Sequence, residues 1–453
     1  MKINPTTFVI FGATGDLFRK KLAPASRRLF QGGLLPQVFR VVAFSRRPWD
    51  DAEFRDFFKE VLGAAAGAAA PKHLSDFLSR VFYVEGDLNT SAGYEKMAER
   101  LGEFDTEVGV CMNKLFYLAT PPSSYETILR HISLSGLAIP CDPTKDGGEP
   151  GWTRILVEKP FGSNANEADS IDRLLAELFS ENQIFRIDHY LAKEVLRDII
   201  TFRFADGIFE QVWNGKHIRE VSVQLLEKGD ASGRGAFYDA LGALRDVGQN
   251  HALQMAALVA MEKPESIAGE AVRRSRAAPL QSFVCTNSFR AQYEGYEKEK
   301  GVAPGSTTDT YFKLELALGS PRWQGVPFIL ESGKCLPESR AEITVAFKKP
   351  EKFAMNGVIN AAQSIHFKIQ PEEEITILTK EGKRIPFVFA KSGKKKTDAY
   401  EQVLLDAVLG DQTRFTSTEE VQAEWRIITP ILDSWRNLPL TQYCCNTMPK
   451  SPF

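Results

Sequence analysis

The sequence predicts two domains, an α/β domain followed by an α+β domain. At 453 residues the chain is longer than one ordinary hydrophobic core supports. In the first third, continuous apolar runs alternate with helix-like stretches, which is typical of a parallel sheet covered on both faces. After about residue 215 the segments alternate apolar and polar residues, which indicates an antiparallel sheet with one buried face. We place the division between domains 1–188 and 189–453.

Strand and helix patterns support both halves of this prediction. The strands of the first domain are predicted at Thr7–Phe11, Arg40–Phe44, Leu115–Ala119 and Ile155–Glu158. A helix follows the first strand to about Phe30, where Gly32 and Gly33 end it. The strands of the second domain are predicted at Glu220–Leu225, Tyr311–Leu318, Glu342–Phe347, Ser364–Ile369 and Glu374–Thr379. Its helices are predicted at Tyr238–Met261 and at Ser417–Trp435, the latter with a capping-box pattern.

Composition excludes several classes of protein. A net charge of -2 argues against a nucleic-acid-binding protein. No apolar run approaches the roughly 20 residues of a membrane span, and the first residues lack a signal-peptide pattern. Six cysteines are scattered without metal-ligand spacing, so we expect no metal site and reduced thiols in a cytoplasmic protein. They are Cys111, Cys141, Cys285, Cys335, Cys444 and Cys445. The adjacent Cys444 and Cys445 leave a redox role open.

A glycine-containing loop follows the first predicted strand. It comprises Gly12, Ala13, Thr14, Gly15, Asp16 and Leu17. Glycines at this position permit a tight turn and a close approach of the backbone, and the helix N-terminus offers free amides to a pyrophosphate. Two glycines alone are a weak motif. As the first strand-to-helix turn of an alternating chain, however, they predict a Rossmann-type dinucleotide site.

Arginines follow the second strand, where an NAD enzyme usually carries an acidic residue. The chain has Arg46 and Arg47 there. A guanidinium at this point can pair with the 2′-phosphate of NADP, and the Thr14 hydroxyl can add to the contact. The alternative is a pair of arginines on an ordinary loop. We therefore predict NADP as the cofactor, with NAD as the weaker alternative.

Lys159 lies in a Glu-Lys-Pro-Phe-Gly segment that ends the fourth strand, Ile155–Glu158. Ligand sites of parallel sheets lie at the carboxyl ends of their strands. A residue before proline is held out of the α region, and a bond to proline can be cis. Lys159 can therefore be presented between cofactor and substrate. Taken alone, such a segment is more often an ordinary strand-end turn.

The segment from Arg186 to Glu194 compresses a carboxylate, an imidazole, a phenol and an ammonium into six positions, Asp188 to Lys193. If it runs into a helix, His189 and Lys193 share one face and Asp188 points elsewhere. Two cationic donors on one face suit a phosphate, and a separate carboxylate can orient a base. The alternative is a solvated charged turn.

His251 is the best candidate for a general base. Histidine is the usual proton acceptor when an alcohol is oxidised, because its pKa lies near neutral pH. His251 lies on an apolar helical stripe that includes Leu244, Val247, Met255 and Leu258. A histidine on such a stripe is more often a buried core residue. A carboxylate partner such as Asp188 would favour the catalytic interpretation.

Taken together, the motifs resemble the glucose-6-phosphate dehydrogenase family. The matching blocks occur in family order and cover nearly the whole chain. They are Gly12–Leu17 with Lys20 and Lys21, Val157–Gly162, Arg186–Glu194, Arg245–His251, Gly305–Thr308, Gly325–Ile329 with Gly333 and Lys334, and Glu424–Arg426 with Thr429 and Pro430.

The resemblance implies oxidation of β-D-glucose 6-phosphate at C1 to the phosphogluconolactone, the first oxidative step of the pentose phosphate pathway, with reduction of NADP+. It implies that His251 is the base and that Asp188 orients it. The implied substrate residues are Lys159, His189, Tyr190, Lys193, Glu227, Asp246, Lys334 and Arg340. The implied cofactor residues are Gly12, Ala13, Thr14, Gly15, Asp16, Leu17, Arg46, Pro121, Tyr125 and Lys159.

Three features of the sequence depart from the family pattern. Ala192 replaces a family glycine, and Ser339 stands where a basic residue is often found, with Arg340 next to it. The extended tail that some animal members use for a second, structural NADP site is absent from this sequence, so we expect no such site. The large sheet forms the family's dimer interface, which implies a homodimer, with a tetramer as the alternative.

Two other functions stay open at this point. The first is a related enzyme that acts on another sugar phosphate or prefers NAD. The second is a non-catalytic sensor of a sugar phosphate or of NADPH that keeps the fold. The presence of base, carboxylate, phosphate lysine and glycine loop together argues against the sensor.

Overall fold

The structure is a computed structural model that describes residues 4–63, 71–140, 151–205, 209–355, 358–387 and 398–453. The chain forms two compact units. The first unit comprises Met1–Gly162, Asn166–His189 and Lys396–Thr416, and the second comprises Ser163–Ala165, Tyr190–Lys395 and Ser417–Phe453.

The described residues contain 16 strands and 12 α-helices. The strands are β1 Thr6–Phe11, β2 Phe39–Ser45, β3 Val81–Glu85, β4 Asn113–Leu118, β5 Thr153–Glu158, β6 Ile184–Ile187, β7 Ile218–Leu226, β8 Phe283–Tyr293, β9 Tyr311–Leu318, β10 Phe328–Gly333, β11 Arg340–Met355, β12 Val358–Gln370, β13 Glu374–Thr379, β14 Arg384–Phe387, β15 Phe415–Thr416 and β16 Thr441–Tyr443. The helices are α1 Ala23–Gln31, α2 Asp51–Gly63, α3 Pro71–Leu78, α4 Ser91–Val108, α5 Tyr125–Leu134, α6 Ala165–Leu178, α7 Glu194–Phe204, α8 Gly235–Ala243, α9 Leu253–Ala260, α10 Gly269–Ser282, α11 Ala399–Leu409 and α12 Thr418–Trp435.

The first unit is built on a seven-stranded sheet with the order β15-β6-β5-β4-β1-β2-β3. All neighbours pair in parallel except β15, which runs antiparallel to β6. Every residue of β1 is buried, as expected for a strand covered on both faces. The fold of this unit is the predicted α/β, Rossmann-type sheet.

The second unit is built on a nine-stranded sheet with the order β14-β13-β12-β11-β7-β10-β9-β8-β16. Most neighbours are antiparallel, which confirms the prediction. Two pairs are parallel, β7 with β10 and β8 with β16. Both parallel pairs matter below, because parallel neighbours end at the same edge of a sheet.

Several element boundaries match the sequence patterns. The predicted strands Tyr311–Leu318 and Glu374–Thr379 are β9 and β13. Helix α12 begins as predicted, since Ser417 and Glu420 form a capping box. Glu420 also pairs with Arg276 of α10, and both side chains are buried. The sequence division placed everything after residue 188 in the second domain, whereas α11 and β15 belong to the first unit.

The expectation that all cysteines are reduced is wrong for three cysteines of the described residues. Cys111 is disulfide-bonded, and Cys335 and Cys445 form a disulfide across a sequence separation of 110 residues. Their proximity arises from sheet topology, which cysteine spacing does not reveal. Cys285 and Cys444 are free thiols, and Cys141 lies outside the described residues.

No helix of the described residues combines the length and the apolar character needed to cross a bilayer.

Candidate functional site

The carboxyl edge of the parallel sheet gathers the predicted residues of the first unit. Strands β6, β5, β4, β1 and β2 are neighbours and run in the same direction. Their carboxyl ends therefore meet at one edge, where open α/β sheets bind ligands. The strand order reverses between β4 and β1, and the glycine loop follows β1 at that point.

Gly12 is where this loop needs glycine. Its φ is +81°, and a Cβ added there would lie 2.4 Å from the carbonyl oxygen of Ala119, just after β4. The loop closes with a hydrogen bond of 3.0 Å from the Gly15 N–H to the Gly12 carbonyl. The loop and the turn that contains Pro121 are thus packed backbone to backbone. Such a cradle suits a pyrophosphate.

The remaining loop residues lead into the first helix. Ala13 is buried, whereas Thr14 and Leu17 are half-buried and Gly15 and Asp16 are exposed. The Asp16 carboxylate pairs with Lys20 at 2.8 Å. This hydrogen bond and the charge of Lys20 lower the pKa of Asp16. The helix begins at Asp16 and passes through a π-helical turn, Phe18–Leu22.

The two arginines after β2 differ in their surroundings. The Arg47 guanidinium lies 4.6 Å from the centre of the Trp49 ring. Arg46 is exposed, and its side chain makes no hydrogen bond or ion pair with any residue that the structure describes. The contact between Arg46 and a 2′-phosphate stays a prediction.

Lys159 follows β5, and its bond to Pro160 is cis. Glu158, the last residue of β5, is enclosed beside it. The Tyr117 hydroxyl donates to Glu158 Oε1, and the Tyr125 hydroxyl donates to the Glu158 carbonyl at 3.0 Å. Burial raises the pKa of Glu158 to about 7. Tyr125, predicted as a cofactor residue, is thus buried with its phenol directed at Glu158.

Asp188 and His189 follow β6, the neighbour of β5. Asp188 is buried, with 2 % of its surface exposed, and His189 is half-buried. The charge of Asp188 contributes to raising the pKa of Glu158, so the two carboxyl groups lie within electrostatic range of each other. The sequence analysis assigned Asp188 but gave Glu158 no role. The signal in the sequence was a carboxyl residue placed directly after the apolar run Ile155–Val157.

Tyr190 and Lys193 belong to the second unit, where they lie in the turn that precedes α7. The prediction that His189 and Lys193 share a helical face is wrong, because α7 begins only at Glu194. Lys193 has extended backbone angles and occupies the N-cap position of the helix, and its N–H donates to the Tyr190 carbonyl at 2.8 Å. The half-buried Tyr190 and Lys193 side chains are therefore presented by a turn.

His251 lies in a π-helical segment, Leu244–Ala252, between α8 and α9. The predicted apolar stripe assumed α-helical spacing, which the wider π-helical turn changes. Interruptions of this kind are frequent at functional sites. His251 is buried, with 2 % of its surface exposed. Its ring centre lies 4.4 Å from that of Tyr190, so the structure brings two of the predicted residues into contact.

Buried polar contacts hold the π-helical segment. Gln249 and Gln254 donate to the two carboxylate oxygens of Glu424 on α12, at 3.2 and 2.6 Å. At its start, the Leu244 N–H donates to the buried Asp309 carboxylate at 2.8 Å. Asp246 lies in the same segment and is half-buried. These contacts fix the backbone that carries both His251 and Asp246.

Glu227 and Lys334 form an ion pair. Glu227 follows β7 and Lys334 follows β10, and these strands are parallel neighbours. Lys334 Nζ lies 2.7 Å from Glu227 Oε2 and 5.0 Å from the centre of the Tyr238 ring. If β7 and β10 were antiparallel, residues that follow the two strands would lie at opposite edges of the sheet. Tyr238 was missed in the sequence analysis, since an aromatic residue at a helix start carries no functional signal.

Arg340 forms no hydrogen bond or ion pair with Glu227 or Lys334, both of which the structure describes, and contacts Gln224 and Glu338 instead. Its Nη2 donates to Gln224 Oε1 at 2.8 Å and lies 3.2 Å from Glu338 Oε1. It lines a cavity of about 390 Å³ with His366, Lys368 and others. Ser339, at the position where the family often has a basic residue, accepts a hydrogen bond of 3.0 Å from the Lys228 N–H. The described residues contain no cluster of His, Cys, Asp or Glu that could hold a metal ion.

Comparison with known proteins places this geometry in a family. Residues 9–198 match the family model "Glucose-6-phosphate dehydrogenase, NAD binding domain", and residues 200–451 match "Glucose-6-phosphate dehydrogenase, C-terminal domain". The chain is 36% identical over 463 residues to glucose-6-phosphate 1-dehydrogenase of Aggregatibacter actinomycetemcomitans, covering 96% of this chain and 91% of the relative. It is 32% identical over 468 residues to the Bacillus subtilis enzyme of the same name, covering 96% and 93%.

Solved structures agree with these matches. The chain resembles glucose-6-phosphate dehydrogenase in complex with glucose 6-phosphate, with a TM-score of 0.87, 30% identity and coverage of 100% of this chain and 97% of the other. It also resembles glucose-6-phosphate 1-dehydrogenase from Mycobacterium avium, with a TM-score of 0.82, 28% identity and coverage of 98% and 95%. The chain therefore belongs to the glucose-6-phosphate dehydrogenase family.

Proposed function

We propose that the chain oxidises β-D-glucose 6-phosphate at C1 to 6-phospho-D-glucono-1,5-lactone with NADP+ as the acceptor, the first oxidative step of the pentose phosphate pathway. The observation that carries this proposal is the 4.4 Å contact between the Tyr190 and His251 rings. It joins a residue assigned to the sugar phosphate with the residue assigned as base. Family relatives support the substrate, since one solved relative holds glucose 6-phosphate.

His251 would accept the proton of the C1 hydroxyl as C1 is oxidised. General-base catalysis of this kind contributes roughly 10²–10⁴-fold. The bound nicotinamide would supply the hydride acceptor. Asp188 would orient the imidazole and stabilise its protonated form, a role that suits a buried carboxylate at the sheet edge.

The remaining substrate residues would position the sugar. His189, Tyr190 and Lys193 would hold the phosphate, and Lys159 would contact both sugar and cofactor. Glu227 and Asp246 would accept hydrogen bonds from sugar hydroxyls. Lys334 would donate to the substrate from its pairing with Glu227, and Arg340 would add a contact from its place beside Gln224. Binding energy from the remote phosphate would be used to position C1.

The described residues of the first unit fit a dinucleotide. The cradle that a Cβ at Gly12 would fill suits the pyrophosphate, with the N–H groups that begin the first helix nearby. Pro121 lies in the turn after β4, whose Ala119 carbonyl packs against Gly12. Arg46 would meet the 2′-phosphate of NADP.

Replacing Arg46 with alanine is expected to raise the KM for NADP+ about 10- to 150-fold and to leave the KM for NAD+ within about 2-fold. Loss of a charged hydrogen-bonding partner costs roughly 1.5–3 kcal/mol, and NAD+ lacks the 2′-phosphate. Steady-state kinetics with both cofactors measure the effect, and Arg47→Ala is the matched control because Arg47 is engaged with Trp49. Equal effects on the two cofactors would assign the 2′-phosphate to another residue.

The proposed function is tested by following the absorbance of reduced nicotinamide when the protein is mixed with glucose 6-phosphate and either NADP+ or NAD+. Reduction with NADP+ is the expected result. If neither cofactor were reduced, the proposed enzymatic function would be wrong, and the alternative of a non-catalytic sensor would be favoured. Faster reduction with another sugar phosphate would identify a related enzyme of different specificity.

We also propose a cytoplasmic homodimer formed through the nine-stranded sheet. The resemblance to a family whose large sheet forms the dimer interface supports this proposal. One relative, from Arabidopsis thaliana and 34% identical, is named as cytoplasmic. Light scattering is expected to give twice the chain mass of 50.6 kDa. A mass of one chain would exclude the dimer, and cell fractionation would test the compartment.

A further inference from the structure

The segment that carries Arg46 is held by a phenol from the neighbouring strand, β3. The Tyr83 hydroxyl lies 2.9 Å from the Ser45 carbonyl oxygen and 2.7 Å from the Arg47 carbonyl oxygen. Tyr83 is buried, and burial raises the pKa of its phenol, so the hydroxyl stays protonated and can donate. Its one hydrogen is shared by this pair of carbonyls. A single side chain thus bridges the residues on either side of Arg46.

The same two carbonyls also accept hydrogen bonds from the main chain. The Gly86 N–H donates to the Ser45 carbonyl at 3.0 Å, and the Trp49 N–H donates to the Arg47 carbonyl at 2.8 Å. Neither carbonyl would therefore lose its last partner if the phenol were absent. Replacing Tyr83 with phenylalanine removes the bridge without leaving a carbonyl unsatisfied, so the fold should tolerate the change.

The phenol itself is fixed by its surroundings. The Tyr83 N–H donates to the carboxylate of Asp51, the first residue of α2, at 2.7 Å. The Asp51 carboxylate also pairs with Arg100 of α4 at 2.8 Å. The Tyr83 ring packs nearly parallel to the Phe54 ring, with 5.3 Å between their centres, and lies 6.1 Å from the Trp49 ring. The hydroxyl therefore acts on the segment from a rigid position.

The position of the Arg46 guanidinium depends strongly on this main chain. The side chain of Arg46 is exposed, and a long exposed side chain samples many rotamers. Holding such a side chain in one geometry for a paired phosphate costs conformational entropy. Fixing the backbone on both sides of Arg46 reduces the volume in which the guanidinium moves, and so lowers that cost.

We infer that Tyr83 is a positioning residue for Arg46, and that its phenol sets part of the preference for NADP+ over NAD+. This inference rests on the proposed function, in which Arg46 meets the 2′-phosphate. Tyr83 acts through the carbonyls of Ser45 and Arg47. Its effect is therefore restricted to ligands that carry the 2′-phosphate.

The first test is Tyr83→Phe, which is expected to raise the KM for NADP+ roughly 3- to 10-fold, in the range for loss of one neutral hydrogen bond. The KM for NAD+ should stay within about 2-fold. Calorimetry without turnover gives an independent readout, with adenosine 2′,5′-bisphosphate and adenosine 5′-monophosphate as probes. Binding of the bisphosphate should weaken by the same factor as for NADP+, and binding of the monophosphate should not change.

A double-mutant cycle tests whether Tyr83 acts through Arg46. In the Arg46→Ala background, Tyr83→Phe should change the KM for NADP+ by less than about 2-fold, because the residue that it positions is absent. Tyr94→Phe is the matched control. Tyr94 is another buried tyrosine of the same unit, and its hydroxyl donates to the Leu88 carbonyl at 3.0 Å. This control should leave the ratio of the two KM values unchanged.

The outcomes separate the inference from the proposed function. If wild type reduces neither cofactor and binds neither nucleotide, the proposed function fails and the inference fails with it. If Arg46→Ala selectively weakens NADP+ but Tyr83→Phe does not, only the inference is wrong. Equal weakening of both nucleotides by Tyr83→Phe, with lower thermal stability, would mean that the phenol is merely structural. A full effect of Tyr83→Phe in the Arg46→Ala background would also overturn the inference.

Discussion

Replacing His251 with asparagine is expected to reduce kcat by about two to four orders of magnitude, the usual contribution of a general base. Asparagine keeps a polar side chain at a position where only 2 % of the His251 surface is exposed, but it cannot accept the hydroxyl proton. The KM for glucose 6-phosphate should change little, because the phosphate contacts are assigned to other residues. Steady-state rates of nicotinamide reduction measure both quantities.

A second histidine of the same unit provides the control for this variant. His217 is half-buried and pairs with Glu351 at 2.8 Å, so His217→Asn removes an imidazole with a carboxylate partner without touching the π-helical segment. Its turnover should remain near that of wild type. If His251→Asn also retained near-wild-type turnover, another group would have to be the base. If both variants lost activity equally, the loss would reflect folding, which circular dichroism would reveal.

Local sequence patterns were sufficient to predict much of the fold of the first unit. The glycine loop could be placed because the turn after an apolar strand needs a residue that tolerates a φ of +81° and a close carbonyl. Lys159 and Asp188 could be assigned to the same edge of the sheet, because the carboxyl ends of parallel strands lie together. Arg46 and Arg47 were equivalent in the sequence, and only the packing of Arg47 on Trp49 separates them.

The features that the sequence did not reveal depend on contacts between distant segments. The π-helical turn around His251 depends on anchoring by Glu424 and Asp309, which lie far along the chain. The Cys335–Cys445 disulfide likewise depends on the parallel pairing of β16 with β8. The helix containing Lys193 was predicted to begin too early, since a charged segment without a clear cap gives no boundary.

The turn before α7 has a consequence for phosphate binding. A helix N-terminus often binds anions through its free N–H groups. Here the Val195 N–H in the first turn of α7 already donates to the Glu373 carboxylate at 3.0 Å. A phosphate at this turn would therefore depend on side chains more than on the helix end. Among those side chains, Lys193 supplies an ammonium group at the start of the helix.

Replacing Lys193 with alanine is expected to raise the KM for glucose 6-phosphate about 10- to 150-fold. A hydrogen bond to a charged group contributes roughly 1.5–3 kcal/mol, and each 1.36 kcal/mol corresponds to a factor of 10. The decisive measurement repeats the kinetics with glucose, which lacks the phosphate. There wild type and variant should have nearly equal kcat/KM, because the contact that Lys193 makes is absent from both reactions.

Lys216→Ala is the control for this variant, since Lys216 is an exposed lysine of the same unit that precedes β7. It should leave both substrates unaffected, which would exclude a general effect of lowering the positive charge of the unit. If Lys193→Ala impaired glucose and glucose 6-phosphate alike, the lysine would act on the sugar ring or on the fold. Selective loss with the phosphorylated sugar would instead assign the phosphate to the turn that carries Tyr190, and so to the residue in contact with His251.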